Sequence, residues 1–158
     1  MKRAASNKIQ QLQSWIRGID SAMLTTEDRL GNLRSRPMVA LEEMHDDALW
    51  FFSEASSHKV DDIHGHHAVN LAYADVANGR FISVSGRARV IRDRAQMREF
   101  WSSKLKAWFP KGADDPELVL LRVEIGEAEM WQSPDREIAV RLEIDNASQN
   151  AHEHLTFA

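Results

Sequence analysis

The chain has 158 residues, a formal net charge of -4 and no cysteine. That length favours a single domain, the missing thiols exclude disulfides, zinc fingers and iron–sulfur clusters, and the negative balance argues against a nucleic-acid partner, which needs a cationic field. Five Trp stand against one Tyr, and large rings without a hydroxyl suit a core, an interface or a stacking site.

The start, Met1-Lys2-Arg3, is basic, but Ala4 to Gln11 holds no apolar leader core, and nothing approaches the roughly 18 apolar residues that span a bilayer. The expectation is a cytoplasmic protein without membrane association. Ile9, Leu12, Ile16, Ile19 and Met23 recur at helical spacing, weakened near Gly18 and Asp20. Ala22 to Thr26 reads as a short strand, and Glu27 to Asn32 carries the Gly and polar punctuation of a hairpin loop. Pro37 to Glu42 follows, then a polar turn at His45-Asp46-Asp47. Leu49 to Ser53 is short, apolar and aromatic, and is expected as a strand. Ser56 to Ile63 is expected as a short helix, with Ser capping its first amides and Gly65 ending it.

Val69 to Tyr73 alternates at period two, and Asn78-Gly79 is the strongest hairpin signal in the chain. Arg80 to Arg92 alternates as well, with Gly86 marking a bulge or bend. Asp93 caps an expected helix, Arg94 to Ala107, in which Met97, Phe100, Trp101 and Leu105 share a face and which Pro110 stops. Leu118 to Ile125 reads as a buried strand and Ala128 to Trp131 as another, while Ile138 to Leu142 fits strand or helix equally. Asn146 to Ala158 is a polar tail expected to be mobile. The pattern divides into an N-terminal helix (1–20), a barrel (21–133) and a C-terminal extension (134–158). Many short strands without regular strand–helix alternation point to an antiparallel barrel with helices outside it.

Catalytic motifs are missing: there is no nucleophile elbow, P-loop, dinucleotide-binding glycine pattern or His-Glu-x-x-His. His64-Gly65-His66-His67 is the one cluster that hints at a metal, and a solvated helix end explains it better, so no metal ligand is assigned. Ser57-His58-Lys59 opens a short helix, where a hydroxyl, amide groups and an ammonium would form a phosphate cradle; a plain Ser cap beside an exposed Lys is the simpler alternative. Arg34-Ser35-Arg36-Pro37-Met38 sets guanidinium donors at the start of an apolar strand. Trp108-Phe109-Pro110-Lys111-Gly112 places two aromatics on a Pro/Gly loop, suited to a core end, a planar ligand or a dimer contact.

In this order, Ser35-Arg36-Pro37-Met38, Leu49-Trp50-Phe51-Phe52-Ser53, Ser57-His58-Lys59-Val60-Asp61-Asp62-Ile63, Val69 to Asp75, Ser83 to Ala88, Trp108 to Gly112 and Ala128-Glu129-Met130-Trp131 resemble the FMN-binding split barrels related to pyridoxamine 5'-phosphate oxidase, and within them the general stress protein group. The likeness spans Ile19 to Ser133. It implies a mainly β fold with flanking helices, a six-stranded antiparallel split barrel that dimerises, and FMN (or FAD) sites at the homodimer interface.

By that resemblance Ser35, Arg36, Pro37 and Met38 line the isoalloxazine edge, largely through backbone groups. Phe52 and Ser53 lie beside the ring and the ribityl–phosphate region, with Trp50 and Phe51 of the same strand also counted as cofactor-binding; Ser57 and Lys59 hold the phosphate, and Trp108 and Trp131 arrive from the partner subunit. Two departures argue against oxidation of pyridoxamine phosphate: His58 stands where those oxidases commonly carry Arg, and the tail from Asn146 has no motif to grip the vitamin phosphate. The expectation is a flavin carrier or weak flavin-dependent redox protein. A flavin- or deazaflavin-dependent oxidoreductase acting on a small substrate, and a cofactor-free interaction barrel, are the alternatives.

Overall fold

A strand can bury every side chain only if both of its faces are covered, and β3 (Ala48–Glu54) meets that condition: six of its seven residues are buried. In the computed structural model, which describes residues 2–41, 43–133 and 139–144, Leu49 and Phe51 point into a barrel core while Ala48, Trp50 and Phe52 enter a second core outside it. The first half of β6 (Leu118–Gln132) does the same, with Val119, Leu121 and Val123 inside and Leu118 and Leu120 outside. Such two-sided burial explains why both stretches read as continuous apolar runs rather than alternating ones.

The remaining strands are β1 (Ser21–Glu27), β2 (Leu33–Val39), β4 (Ala68–Asp75), β5 (Arg80–Ile91) and β7 (Val140–Glu143). All pairs are antiparallel, in the order β2-β1-β4-β5-β6-β3, with β7 added on β6 beyond the stretch that β3 occupies. No ladder joins β2 to β3, so the curled sheet is open along that line, as expected of a split barrel. The two strands expected at Leu118–Ile125 and Ala128–Trp131 are one. Opposite them, β5 carries its bulge at Ser85/Gly86, where a Cβ on Gly86 would collide with the Glu124 carbonyl.

Helix α1 (Lys2–Ile16) packs Ile9, Leu12 and Trp15 against the barrel core. Its apolar period continues through Ile19 and Met23, but the helix ends before Gly18, which takes φ +84°. Ile19 lies in the connection and Met23 on β1, so the shared spacing is coincidental. The expected helix 94–107 is likewise broken. Helix α3 (Arg94–Phe100), capped by Asp93 accepting from the Gln96 amide, stops where Trp101 turns extended, and a 3-10 turn follows at Ser103–Ala107. The break lets Phe100, Trp101 and Leu105 all meet the outer core. Helix α2 is His58–Gly65. Residues 134–138 and the tail from 146 to 158, where most of the C-terminal extension and the expected mobile end fall, lie outside the described residues.

Candidate functional site

Opening the sheet between β2 and β3 leaves a cleft of about 200 Å³, lined by Pro37, Met38, Val39, Phe52, Ser53, Glu54, Lys59, Trp108 and Phe109. Each element contributes for a local reason. Strand β2 ends the sheet, so the amide that Pro37 lacks is not needed on its outer side. Phe52 sits on the outer face of β3 and packs edge-on against Trp101, at 5.6 Å between centroids, and beside Phe109 at 6.3 Å. Trp108, after the 3-10 turn, is 62% exposed at the rim. One wall is therefore aromatic and the other is the unpaired edge of β2.

The polar end lies at the start of α2. Ser57 occupies the N-cap position but its hydroxyl makes no capping bond; it lies 3.3 Å from the buried Ser53 hydroxyl instead. The expected cap is therefore absent, and the first amides of α2 have no side-chain acceptor among the described residues, a setting that favours an anion. Lys59 is half-buried, and its ammonium has no hydrogen-bond or ion-pair partner among the described residues. Burial first, and then the Arg36 charge, hold its pKa below the ordinary lysine value, with Glu54 pulling the other way. A cation held that way gains from a neighbouring anion.

Arg36 does not point its guanidinium into the cleft. It donates to the Thr26 hydroxyl at 2.7 Å and the Leu24 carbonyl at 3.2 Å, and lies 3.7 Å from the Asp62 carboxylate, which also accepts from Thr26 at 2.9 Å. Burial lowers its pKa while Asp62 opposes that shift. The network ties α2 to β1 and β2, so Arg36 acts on the site through the backbone it holds.

Of the residues singled out from the sequence, Pro37, Met38, Phe52, Ser53, Lys59 and Trp108 meet at the cleft, with Ser57 beside Ser53. Trp108 borders the cleft of its own chain. Ser35 bonds Thr25 at 2.6 Å on the surface. Trp50 is buried in the outer core, its indole donating to the His45 carbonyl at 2.7 Å, and Phe51 is inside the barrel. Trp131 lies at the far end of β6 from Leu120, the partner of Phe52, and is paired with Phe81. Val39 and Glu54 are not among the site residues expected from the sequence, and Phe109 enters there only as the second aromatic of the Trp108-Phe109 loop. The signal was their adjacency to residues that are, most plainly in the Trp108-Phe109 pair. His64, His66 and His67 join no metal-ligating group among the described residues.

Outside the cleft, the barrel surface carries an apolar patch. Met23 and Phe81 are 40% and 44% exposed, and the registers Met23↔Ala72, Ala74↔Phe81 and Phe81↔Trp131 place them on one face with small and aromatic neighbours.

The family model described as "Pyridoxamine 5'-phosphate oxidase like" matches residues 7–153. Protein bli-3 of Neurospora crassa is 32% identical over 128 residues, covering 75% of this chain and 61% of bli-3, so the chain spans about three fifths of that relative. General stress protein 26 of Bacillus subtilis is 31% identical over 103 residues, 62% of this chain and 72% of that one. Among solved structures, a protein related to general stress protein 26 from Clostridium acetobutylicum superposes with a TM-score of 0.74 at 18% identity, over 88% of this chain and 96% of its own. The general stress FMN/FAD binding protein of Xanthomonas citri gives 0.67 at 23% identity, over 90% and 99%.

Proposed function

The chain belongs to the pyridoxamine 5'-phosphate oxidase-like family, and from that premise we propose that it is a flavin-binding protein of the general stress type, holding FMN at a homodimer interface. The observation that carries the reading is the cleft at the barrel's split, where one side is aromatic and the other end offers an unpaired ammonium beside uncapped helix amides. That donor set fits a planar ring joined to a phosphate: Met38, Phe52 and Trp108 would hold the ring, and Ser57 and Lys59 the phosphate. When bound, the isoalloxazine would supply hydride or electron transfer. The protein's own part is to orient the ring, hold the phosphate and limit water on the aromatic side.

A volume of about 200 Å³ is below the ~300 Å³ at which small-molecule pockets usually begin, which supports a second chain completing the site. The Met23–Phe81–Trp131 patch is the surface suited to that contact, and Trp131 is the ring it would bring to the partner's cleft. FAD is the alternative cofactor, in keeping with the words FMN/FAD binding in the name of the Xanthomonas citri protein. The activity is flavin carriage or weak flavin-dependent redox chemistry in the cytoplasm, not oxidation of pyridoxamine phosphate. A fluorescence titration with FMN, FAD and riboflavin tests this reading. FMN should bind most tightly and riboflavin weakly; if neither nucleotide quenches or stays with the protein after desalting, the flavin reading is wrong.

A further inference from the structure

A larger cavity, of about 440 Å³, opens at the end of the barrel beneath the C-terminal end of α1. Ile16 and Ile19 wall one side, Ala40 another, and Leu49 and Phe51 a third, with Tyr73 also in its lining. Tyr73, the single tyrosine of the chain, lies on the inner face of β4 and is 2% exposed. Its hydroxyl has no hydrogen-bond partner among the described residues. The other buried donor in the lining, the Trp50 indole, is already engaged by the His45 carbonyl.

Among the described residues the buried side-chain atom left without a partner is Arg80 Nε, not the Tyr73 hydroxyl, which reaches the space of the cavity and can donate to what enters it. The volume lies within the range of about 300–1,000 Å³ typical of small-molecule pockets. The exposed lining residues Arg17, Asp20, Glu43 and Lys104 carry two charges of each sign and so favour neither anions nor cations. A charged group at the inner end would be buried without a counter-ion, which is prohibitive.

We propose that this cavity is a second ligand site, separate from the cleft, for a small neutral carbonyl compound with an aromatic or aliphatic body, whose carbonyl oxygen accepts a hydrogen bond from Tyr73. Burial also pushes the tyrosine's pKa up, so the hydroxyl remains a donor throughout the neutral range. The inference does not depend on the flavin reading, because the two sites share no lining residue.

Benzophenone, a neutral aryl ketone that photo-crosslinks to nearby C–H bonds, is the probe. Irradiated with the full chain, with and without FMN, it should label peptides that line the cavity, including those bearing Met44 or Leu49. In calorimetric titration, Tyr73→Phe should weaken benzophenone binding about fivefold to tenfold, the worth of one hydrogen bond. The same substitution should leave the melting temperature unchanged or higher and any FMN affinity unchanged, since it removes an unpaired hydroxyl and keeps the ring. Ala40→Phe, which fills the wall, should abolish the labelling. The proposal is overturned if benzophenone does not bind, if its adducts fall elsewhere, if Tyr73→Phe leaves its affinity unchanged, or if FMN displaces it.

Discussion

The Arg36 guanidinium and the Asp62 carboxylate, 3.7 Å apart, join the edge strand β2 to helix α2 on the side of the barrel that carries the cleft. Both side chains are mostly buried, at 21% and 10% exposure, and Thr26 bonds to both. Removing one member leaves the other desolvated and short of a partner. Arg36→Ala is therefore expected to lower unfolding stability by about 1–3 kcal/mol. Flavin affinity should fall with it, because the α2 terminus loses its tether to β2. Urea melts of the variant, with and without FMN, measure both effects.

Lys59→Gln separates the phosphate from the ring. The charge-assisted contact is worth about 1.5–3 kcal/mol, so the FMN Kd should rise at least about tenfold while that of riboflavin stays where it was. Equal losses for both ligands would show that Lys59 does not face a phosphate.

Trp108 is 62% exposed, and substitution at such a position changes stability by no more than about 0.5 kcal/mol. Trp108→Ala should leave the melting temperature unchanged. If the ring stacks on a flavin at about 0.5–1.5 kcal/mol, FMN binding should weaken by about threefold to tenfold in a fluorescence titration.

Asp28 supplies the acid-sensitive element of the β1–β2 hairpin. Its carboxylate accepts from the amides of Asn32 and Leu30, each at 2.9 Å, and from Arg34 at 3.0 Å. The Asn32 amide is foremost in holding the pKa down at about 2, against an ordinary value of 3.8, although burial opposes the shift. The folded-state value is depressed, so the contribution is complete above the unfolded pKa and is lost as pH falls from about 3.8 toward 2. Asp28→Asn should flatten the pH dependence of the unfolding free energy in that window, with little further change in slope above pH 5.

Gly86 lies where β5 slips its register against β6, and a side chain there would meet the Glu124 carbonyl. Backbone cannot yield as a flexible side chain does, so Gly86→Ala should cost about 1–3 kcal/mol. Gly65→Ala, at a position with open space around it, is the control and should be neutral or mildly stabilising on a thermal melt.

Much of the barrel was legible because burial leaves a periodic trace. Val69, Leu71 and Tyr73 alternate since one face of β4 meets the core, and Asn78-Gly79 announces its turn. Leu49 to Phe52 showed a strand but not that Phe51 and Phe52 enter different cores, because composition cannot say what covers each face. Met23 looked helical because a strand residue happened to fall in phase. Nothing local marked the break at Trp101, which tertiary packing imposes. In the site, Pro37, Phe52, Lys59 and Trp108 were found through motif order, whereas the direction of the Arg36 side chain depends on Thr26 and Asp62, distant in sequence. Tyr73 was visible as the lone tyrosine, but its missing partner is a property of the folded interior.

The split between β2 and β3 bears on how the molecule loosens. A hydrogen-bonded ribbon with two free ends deforms most cheaply by moving those ends apart, since that breaks no ladder. The softest motion of this barrel is therefore a widening of the seam, and Pro37 on one lip offers an invading strand one amide fewer to pair with. A molecule touching both lips would convert the ribbon into a ring and would be felt as rigidity far from its contacts. Amide hydrogen exchange along β2 and β3 should slow when such a molecule is added, with β4 and β5 little affected.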